Sequence, residues 1–335
     1  MLDDPRAGCE LCTMPAVSRK QLLLEGVPRG AIERRRVREN LKAAFPGYYA
    51  CDDEWQSMLE AHLLRGGEHA AASHRAAGRL HRLDGLTEFT GFDFTVPLDS
   101  TLRRRPAFRS GTLQCTDTVF VHELRATTIE RTLIDLGRVL PTDGVELAME
   151  AALRGPDPKR PEEWNEGLLI SIAHRLDGCR SPGSGALREV LARRPIGARP
   201  TGSYAETRAL QALRRRGHGG LLRQPTVSLA DNQLERYGTW YPDLYDPSSG
   251  VAFEVDGAIA HAAVDQRRRD ATRDNVLGEY LRVVRIVATD VVTVAGADAF
   301  AVDAARAMGY RRRSGWQGAN VDIRVEGNNV SIRRR

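Results

Sequence analysis

The chain has 335 residues, enough to bury a large core and to form two or three domains. Apolar residues make up 41% of it, which excludes a disordered chain, and no run reaches the ~18 consecutive apolar residues of a membrane-spanning helix. Lys plus Arg outnumber Asp plus Glu by 49 to 44, for a formal net charge of +5, and almost all of the positive charge is Arg. Its placement matters more than its sum: residues 28–38 hold five Arg against Glu33, and the stretch from Arg311 holds seven against Asp322 and Glu326. Such clusters are either phosphate-binding footprints or solvated faces. The first ten residues carry Asp3 and Asp4 and no apolar core of a secretory signal, so a cytoplasmic protein is expected. Five cysteines, with Cys9–Cys12 as a lone CxxC, point to free thiols rather than structural zinc.

The first unit runs from Val17 to Ala50. Ser18 and Gln21 spell a capping box, Leu22 to Leu24 supply an apolar face, and Gly26 stops the helix. Pro28 opens a second, Arg-rich helix as an N1 proline, and Leu41–Ala50 reads as a hairpin around Pro46-Gly47. Helix, turn, basic helix and hairpin is the order of a winged helix-turn-helix, with Arg29, Arg34, Arg35, Arg36 and Arg38 available for phosphates or guanine edges. The alternative is an αα-hairpin packed on the neighbouring segment.

Between Cys51 and Pro200 the pattern is mixed. Helices are expected over 54–64, 71–83, 127–140 and 145–153, a strand over 92–96, and loops over 99–106, 155–161 and 178–185. His74 and His81 stand seven apart on one helix face; without a carboxylate or thiol they suggest packing or capping.

From Ser203 the residues become chemically informative. Ser203 and Glu206 spell another capping box, and strands are expected over 226–229, 239–244, 250–257 and 282–287, with a charged helix over 265–281. The order αβββαβ is that of a restriction-endonuclease-like core. Pro247-Ser-Ser-Gly250 is a four-residue hairpin loop, which makes Asp246 and Val251 the closing pair and sets Asp243 opposite Glu254. Opposed residues share a face with Cβ atoms about 5 Å apart, and Asp256 lies on the same face. Crowded carboxylates repel unless a cation stands between them, and hard oxygen donors suit Mg²⁺ or Mn²⁺. A solvated acidic edge is the competing reading; the apolar Val251-Ala-Phe253 run, Gly257 and the titratable His261 weigh against it. In the following helix Arg269, Asp270, Arg273 and Asp274 share a side with Val276, Leu277, Tyr280 and Leu281, so these charges are paired or functional.

Two resemblances follow from these residues. Residues 203–291, through Ser203-x-x-Glu206, Pro242-Asp243, Glu254-Val-Asp-Gly257 with His261, and Arg269-Asp270-x-x-Arg273-Asp274, resemble the domain of unknown function related to very-short-patch-repair endonucleases. That implies a PD-(D/E)xK fold and metal-dependent nuclease ancestry. Residues 17 to about 153, through Val17–Ala50, Ala72-Ser-His-Arg-Ala-Ala77 and Thr128-x-x-Arg131-Thr-Leu-x-Asp135, resemble the antitoxin of abortive-infection type IV toxin–antitoxin systems. Such antitoxins are winged-helix repressors of their own operon. One position departs from the nuclease pattern: the residue two after the Glu is usually Lys and is Asp256 here. Either His261 or an Arg of the next helix substitutes, or the domain has ceased to cut.

The expectation is therefore a mixed α+β, multidomain chain. A winged helix-turn-helix spans 1–51, a mixed α/β middle region 52–200, a nuclease-like domain 201–310 and a basic tail 311–335. Glu206, Asp243 and Glu254 would bind Mg²⁺ or Mn²⁺; Asp256 and His261 would assist; Arg269 and Arg273 would join the N-terminal arginines on DNA. DNA, and a cognate toxin-like protein, are the expected partners, with no membrane. The competing expectations are a repressor or antitoxin carrying an inactive nuclease domain, and a scaffold that binds no nucleic acid.

Overall fold

A computed structural model of the chain describes residues 16–154, 163–229, 239–256, 281–313 and 321–334. These form two compact units, Met1–Val139 and Leu140–Arg335, each of mixed α and β structure.

In the first unit, strand β1 (Ala16–Ser18) runs into helix α1 (Arg19–Leu24). Ser18 Oγ accepts the Gln21 N–H at 3.2 Å, and Gln21 Oε1 accepts the Ser18 N–H at 2.7 Å, so the capping box closes reciprocally. Gly26, at φ +84°, ends the helical course. Pro28 precedes a 3₁₀ turn (Arg29–Ala31), and α2 (Ile32–Arg38) starts only after it. The hairpin strands β2 (Lys42–Phe45) and β3 (Tyr48–Ala50) turn at Gly47, φ +84°. β1 completes the sheet in the order β1-β3-β2, over a core of Val17, Leu22, Ile32, Leu41 and Tyr49. At three residues β1 is too short to show the period-two alternation that would reveal it.

The same unit continues with α3 (Trp55–Gly66), β4 (Ala71–Ala72), α4 (His74–Leu80), β5 (Phe94–Val96), β6 (Phe108–Ser110), β7 (Thr118–Val121), β8 (Leu124–Thr127) and α5 (Ile129–Leu136). The sheet order is β6-β5-β4-β8-β7. The expected helix over 71–83 is shorter, because His74 enters at φ +48° and Ala71–Ala72 pair as a strand. His74 Nδ1 lies 2.9 Å from Ser73 Oγ, and His81 Nε2 lies 2.7 Å from the Thr127 carbonyl oxygen, which are packing roles. A contact crosses the expected 51/52 boundary: Phe45 of β2 meets the His62 ring of α3 edge-on, with centroids 4.3 Å apart.

The second unit begins with α6 (Thr142–Leu153), α7 (Glu166–Leu176), α8 (Ser184–Ala192) and α9 (Tyr204–Arg215). Strands β9 (Leu222–Arg223), β10 (Thr226–Leu229), β11 (Leu244–Asp246), β12 (Val251–Asp256) and β13 (Arg282–Val287) follow. Helices α10 (Ala288–Val292) and α11 (Val294–Arg313) and the hairpin β14 (Val321–Glu326)–β15 (Asn329–Arg334) end the described chain. The main sheet runs β13-β12-β11-β9, with Asp246 paired to Val251 as the loop length predicts. Ala209 and Leu213 of α9 and Ala301 and Met308 of α11 share a core with Leu244 and Phe253.

Three expectations change. Thr226–Leu229 does not join the main sheet; Pro225 lacks an N–H and Gln224 sits at φ +43°, so the chain turns away and β10 pairs in parallel with β15. The expected strand over 239–244 is displaced to β11, which starts only at Leu244, while Trp240 makes a lone bridge to Val227. Within the expected basic tail, residues 321–334 form a hairpin. The helix expected over 265–281 falls almost wholly outside the described residues.

In the second unit, contacts cross the expected 200/201 boundary. Buried Glu146 and Glu150 of α6 reach across it: Glu146 pairs with Arg214 at 2.9 Å, and Glu150 Oε1 accepts from Arg223 at 2.6 Å while its Oε2 accepts the Thr201 N–H at 3.0 Å. Charges removed from water stay ionised only when paired, so α6 and the C-terminal sheet form one packed body.

Candidate active site

Ser203 Oγ accepts the Glu206 N–H at 3.2 Å and starts α9. The carboxylate of Glu206 does not close the box on Ser203. Its Oε2 instead accepts the Gly202 N–H at 2.6 Å and the Gln224 side-chain amide at 2.7 Å. The absence of a side chain at Gly202 makes room for this: a Cβ there would stand 2.9 Å from Glu206 Oε1 and 3.0 Å from Gln224 Nε2. The same Gln224 nitrogen donates to Asp243 Oδ1 at 2.9 Å, and Asp243 Oδ2 accepts the Val255 N–H at 2.7 Å. A helix start, a strand end and a hairpin thus bring Glu206 and Asp243 to one amide group.

The next residue of β12 behind Val255 is Glu254. Its Oε1 accepts from the Trp240 indole at 2.8 Å, and its Oε2 pairs with Arg285 at 2.9 Å. Arg285, on the neighbouring β13, also pairs with Asp256 at 3.2 Å. Sequence reasoning grouped Glu206, Asp243 and Glu254 as equals. The structure joins the first two directly and turns the third toward Arg285 and Trp240. Among the described residues no three His, Cys, Asp or Glu side chains stand close enough to hold one ion as placed. His261, Arg269 and Arg273 lie outside the described residues.

Burial raises the titration of the Glu206 carboxyl, against hydrogen bonds from Gly202, Gln224 and Ser203 that favour its charged form. Asp243 is raised further: burial is the largest cause, the neighbouring Glu206 charge the next, and Glu254 adds to it, against donors from Val255 and Gln224. Two desolvated acids side by side retain a proton or require a cation.

The N-terminal arginines divide. Arg35 pairs with Glu39 at 2.9 Å and with Glu25 at 3.7 Å, Arg38 pairs with Glu39 at 3.2 Å, and Arg36 pairs with Glu33. Arg29 and Arg34 are exposed, and their side chains have no partner among the described residues. Arg34 shares the outer face of α2 with Val37, 67% exposed.

Gln224 and Arg285 escaped the sequence reading. Arg285 interrupts an otherwise apolar strand, Val283-Val-Arg-Ile-Val287, and that signal was available. Gln224 stands between Arg223 and Pro225 with no pattern to mark it.

No protein-family model matches the chain, and no curated protein matches it significantly. Among the described residues no helix is long and apolar enough to cross a membrane.

Proposed function

We propose that the chain binds DNA through its N-terminal unit and that its second unit carries a metal-dependent phosphodiesterase centre on Glu206, Asp243 and Glu254. The observation that carries this reading is the buried Glu206–Gln224–Asp243 bridge, set beside Glu254 at the end of a β-hairpin. Acids with suppressed ionisation in one buried cluster are a mark of a working site. The helix–β9–β11–β12–β13 order and the resemblance of residues 203–291 to very-short-patch-repair-related nuclease domains support it. Glu206 and Asp243 would hold Mg²⁺ or Mn²⁺, with Glu254 as third ligand. A bound ion of this kind supplies Lewis acidity toward a phosphoryl oxygen. Arg285 would pass from Glu254 and Asp256 to the substrate phosphate, where a planar guanidinium suits two oxygens.

The β1-α1-α2-β2-β3 order supports a winged helix-turn-helix, with α2 entering the major groove and Arg29 and Arg34 as the cations free to meet DNA. The test is incubation with supercoiled plasmid and Mg²⁺ or Mn²⁺. Nicking that disappears in both Asp243→Ala and Glu254→Ala supports the hydrolase; no cleavage with either ion overturns it.

A second reading rests on Arg285. Its pairing with both Glu254 and Asp256, where related nucleases carry Lys, neutralises two acids of the set. That arrangement favours a repressor or antitoxin with a silenced nuclease domain, partnered by a toxin-like nucleotidyltransferase. Retention of the chain's own upstream DNA without cleavage would favour it.

A further inference from the structure

We infer that Gln224 is a positioning residue for the Glu206–Asp243 pair, and that the C-terminal hairpin sets its place through Asn328. The inference rests on the reading of those two acids as a cation site. Both acids present oxygens to Gln224, and carboxylate oxygens accept; the atom between them is therefore the amide nitrogen, whose two N–H groups serve one acid each. The amide fixes the span between the acids.

Gln224 itself is held from every side. Its φ of +43° is a conformation that residues with a Cβ enter at a penalty. Its N–H donates to the Asp243 carbonyl oxygen at 3.0 Å, and its own carbonyl oxygen accepts from Arg199 at 3.1 Å. Arg223, 2% exposed, is pinned beside it by Glu150. The remaining constraint comes from far along the chain. Asn328, in the β14–β15 turn, donates its side-chain amide to the carbonyl oxygens of Arg223 and Gln224 at 2.9 and 3.2 Å, and its own carbonyl oxygen accepts the Thr226 N–H at 3.0 Å. β15 then runs parallel to β10, with Thr226 paired to Asn329. The hairpin thus clamps the one backbone segment that carries the bridging amide, without touching either acid in the contacts among the described residues.

The test uses the full-length chain and two readouts. Carboxyl ¹³C NMR titration of the cation-free protein follows Glu206 and Asp243, and Mn²⁺ binding is followed by calorimetry, in wild type, Gln224→Leu and Asn328→Ala. Gln224→Leu removes both donors at similar volume, so both acids are expected to titrate at higher pH. Asn328→Ala, in the half-buried turn between β14 and β15, leaves Gln224 itself intact and is expected to move the same two signals in the same direction. Mn²⁺ affinity is expected to fall about 10- to 100-fold in Gln224→Leu, the usual consequence of removing a group that orients a ligand. Unmoved titrations in a folded Gln224→Leu overturn the positioning role, and so does Mn²⁺ binding in Gln224→Leu as tight as in a wild type that binds the ion. In Asn328→Ala, unmoved titrations overturn the clamp. Titrations that move while wild type binds no Mn²⁺ uphold Gln224 and overturn the cation-site reading instead.

Discussion

Glu206 and Asp243, 37 positions apart in the chain, accept hydrogen bonds from a single nitrogen, Nε2 of Gln224, at 2.7 and 2.9 Å. Burial pushes the ionisation of both upward, and the Glu206 charge pushes that of Asp243 further.

Stability should therefore depend on pH in a definite direction. Both acids titrate above their unfolded range, so the folded chain keeps protons that the unfolded chain has released. Their contribution is complete below the unfolded carboxylate range and is lost as pH rises through the folded values. Glu206→Gln removes one charge and keeps the hydrogen bonds from Gly202 and Gln224, since the amide oxygen can take the place of Oε2. Without cation, its melting temperature at about pH 7.5 should exceed that of wild type by about 2–4 °C, the response to roughly 1 kcal/mol in a unit of this size. The gap should close toward about pH 4. Parallel melting curves at both pH values would contradict this.

The second unit should depend on Glu150. It is fully buried and shared by Arg194, Arg223 and the Thr201 amide. Glu150→Ala leaves the Arg194 guanidinium without its acid and Arg223 with only its 3.7 Å contact to Glu146, and should remove about 3–5 kcal/mol in urea unfolding. A loss under about 1 kcal/mol would show that the network is dispensable.

DNA binding should separate the free arginines from the paired ones. Arg34→Ala should weaken retention and lower the slope of log K against log salt by about 1. Arg36→Ala should matter less, because Glu33 already neutralises it, and Glu33→Gln should strengthen binding by freeing Arg36. Electrophoretic retention over a salt series checks all three; equal losses in both arginine variants would refute the division.

Arg285 and a divalent cation compete for Glu254. Arg285→Gln should raise Mn²⁺ affinity by ~10-fold, or about 1.4 kcal/mol. Unchanged affinity would mean that Glu254 takes no part in binding the ion.

Local chemistry was the legible part of this sequence. Ser18 and Gln21 spelled a capping box that closes, and four loop residues set the register of Asp246 against Val251. Ser203 and Glu206 spelled the same box, yet Glu206 turns to Gly202 and Gln224, because a short-range motif cannot foresee a competing donor 18 residues away. Gln224 was hidden for the same reason: its partners come from α9, from the strand before β12 and from the last hairpin. Thr226–Leu229 reads as a strand in any sheet, and only its far-off partner β15 decides which. The contacts across 200/201 were equally illegible, since Glu146 and Glu150 look like ordinary helix-surface acids until Arg214 and Arg223 bury them.

The acid pair as a cation site is tested most directly by calorimetric titration of Mn²⁺ near pH 6 in two buffers of different ionisation enthalpy. One ion should bind per chain with release of a proton, because the raised acids must ionise to ligate, and Glu206→Gln should abolish both the binding and the proton. Wild type that binds no Mn²⁺ at millimolar concentration, or Glu206→Gln that binds as wild type does, would contradict the account.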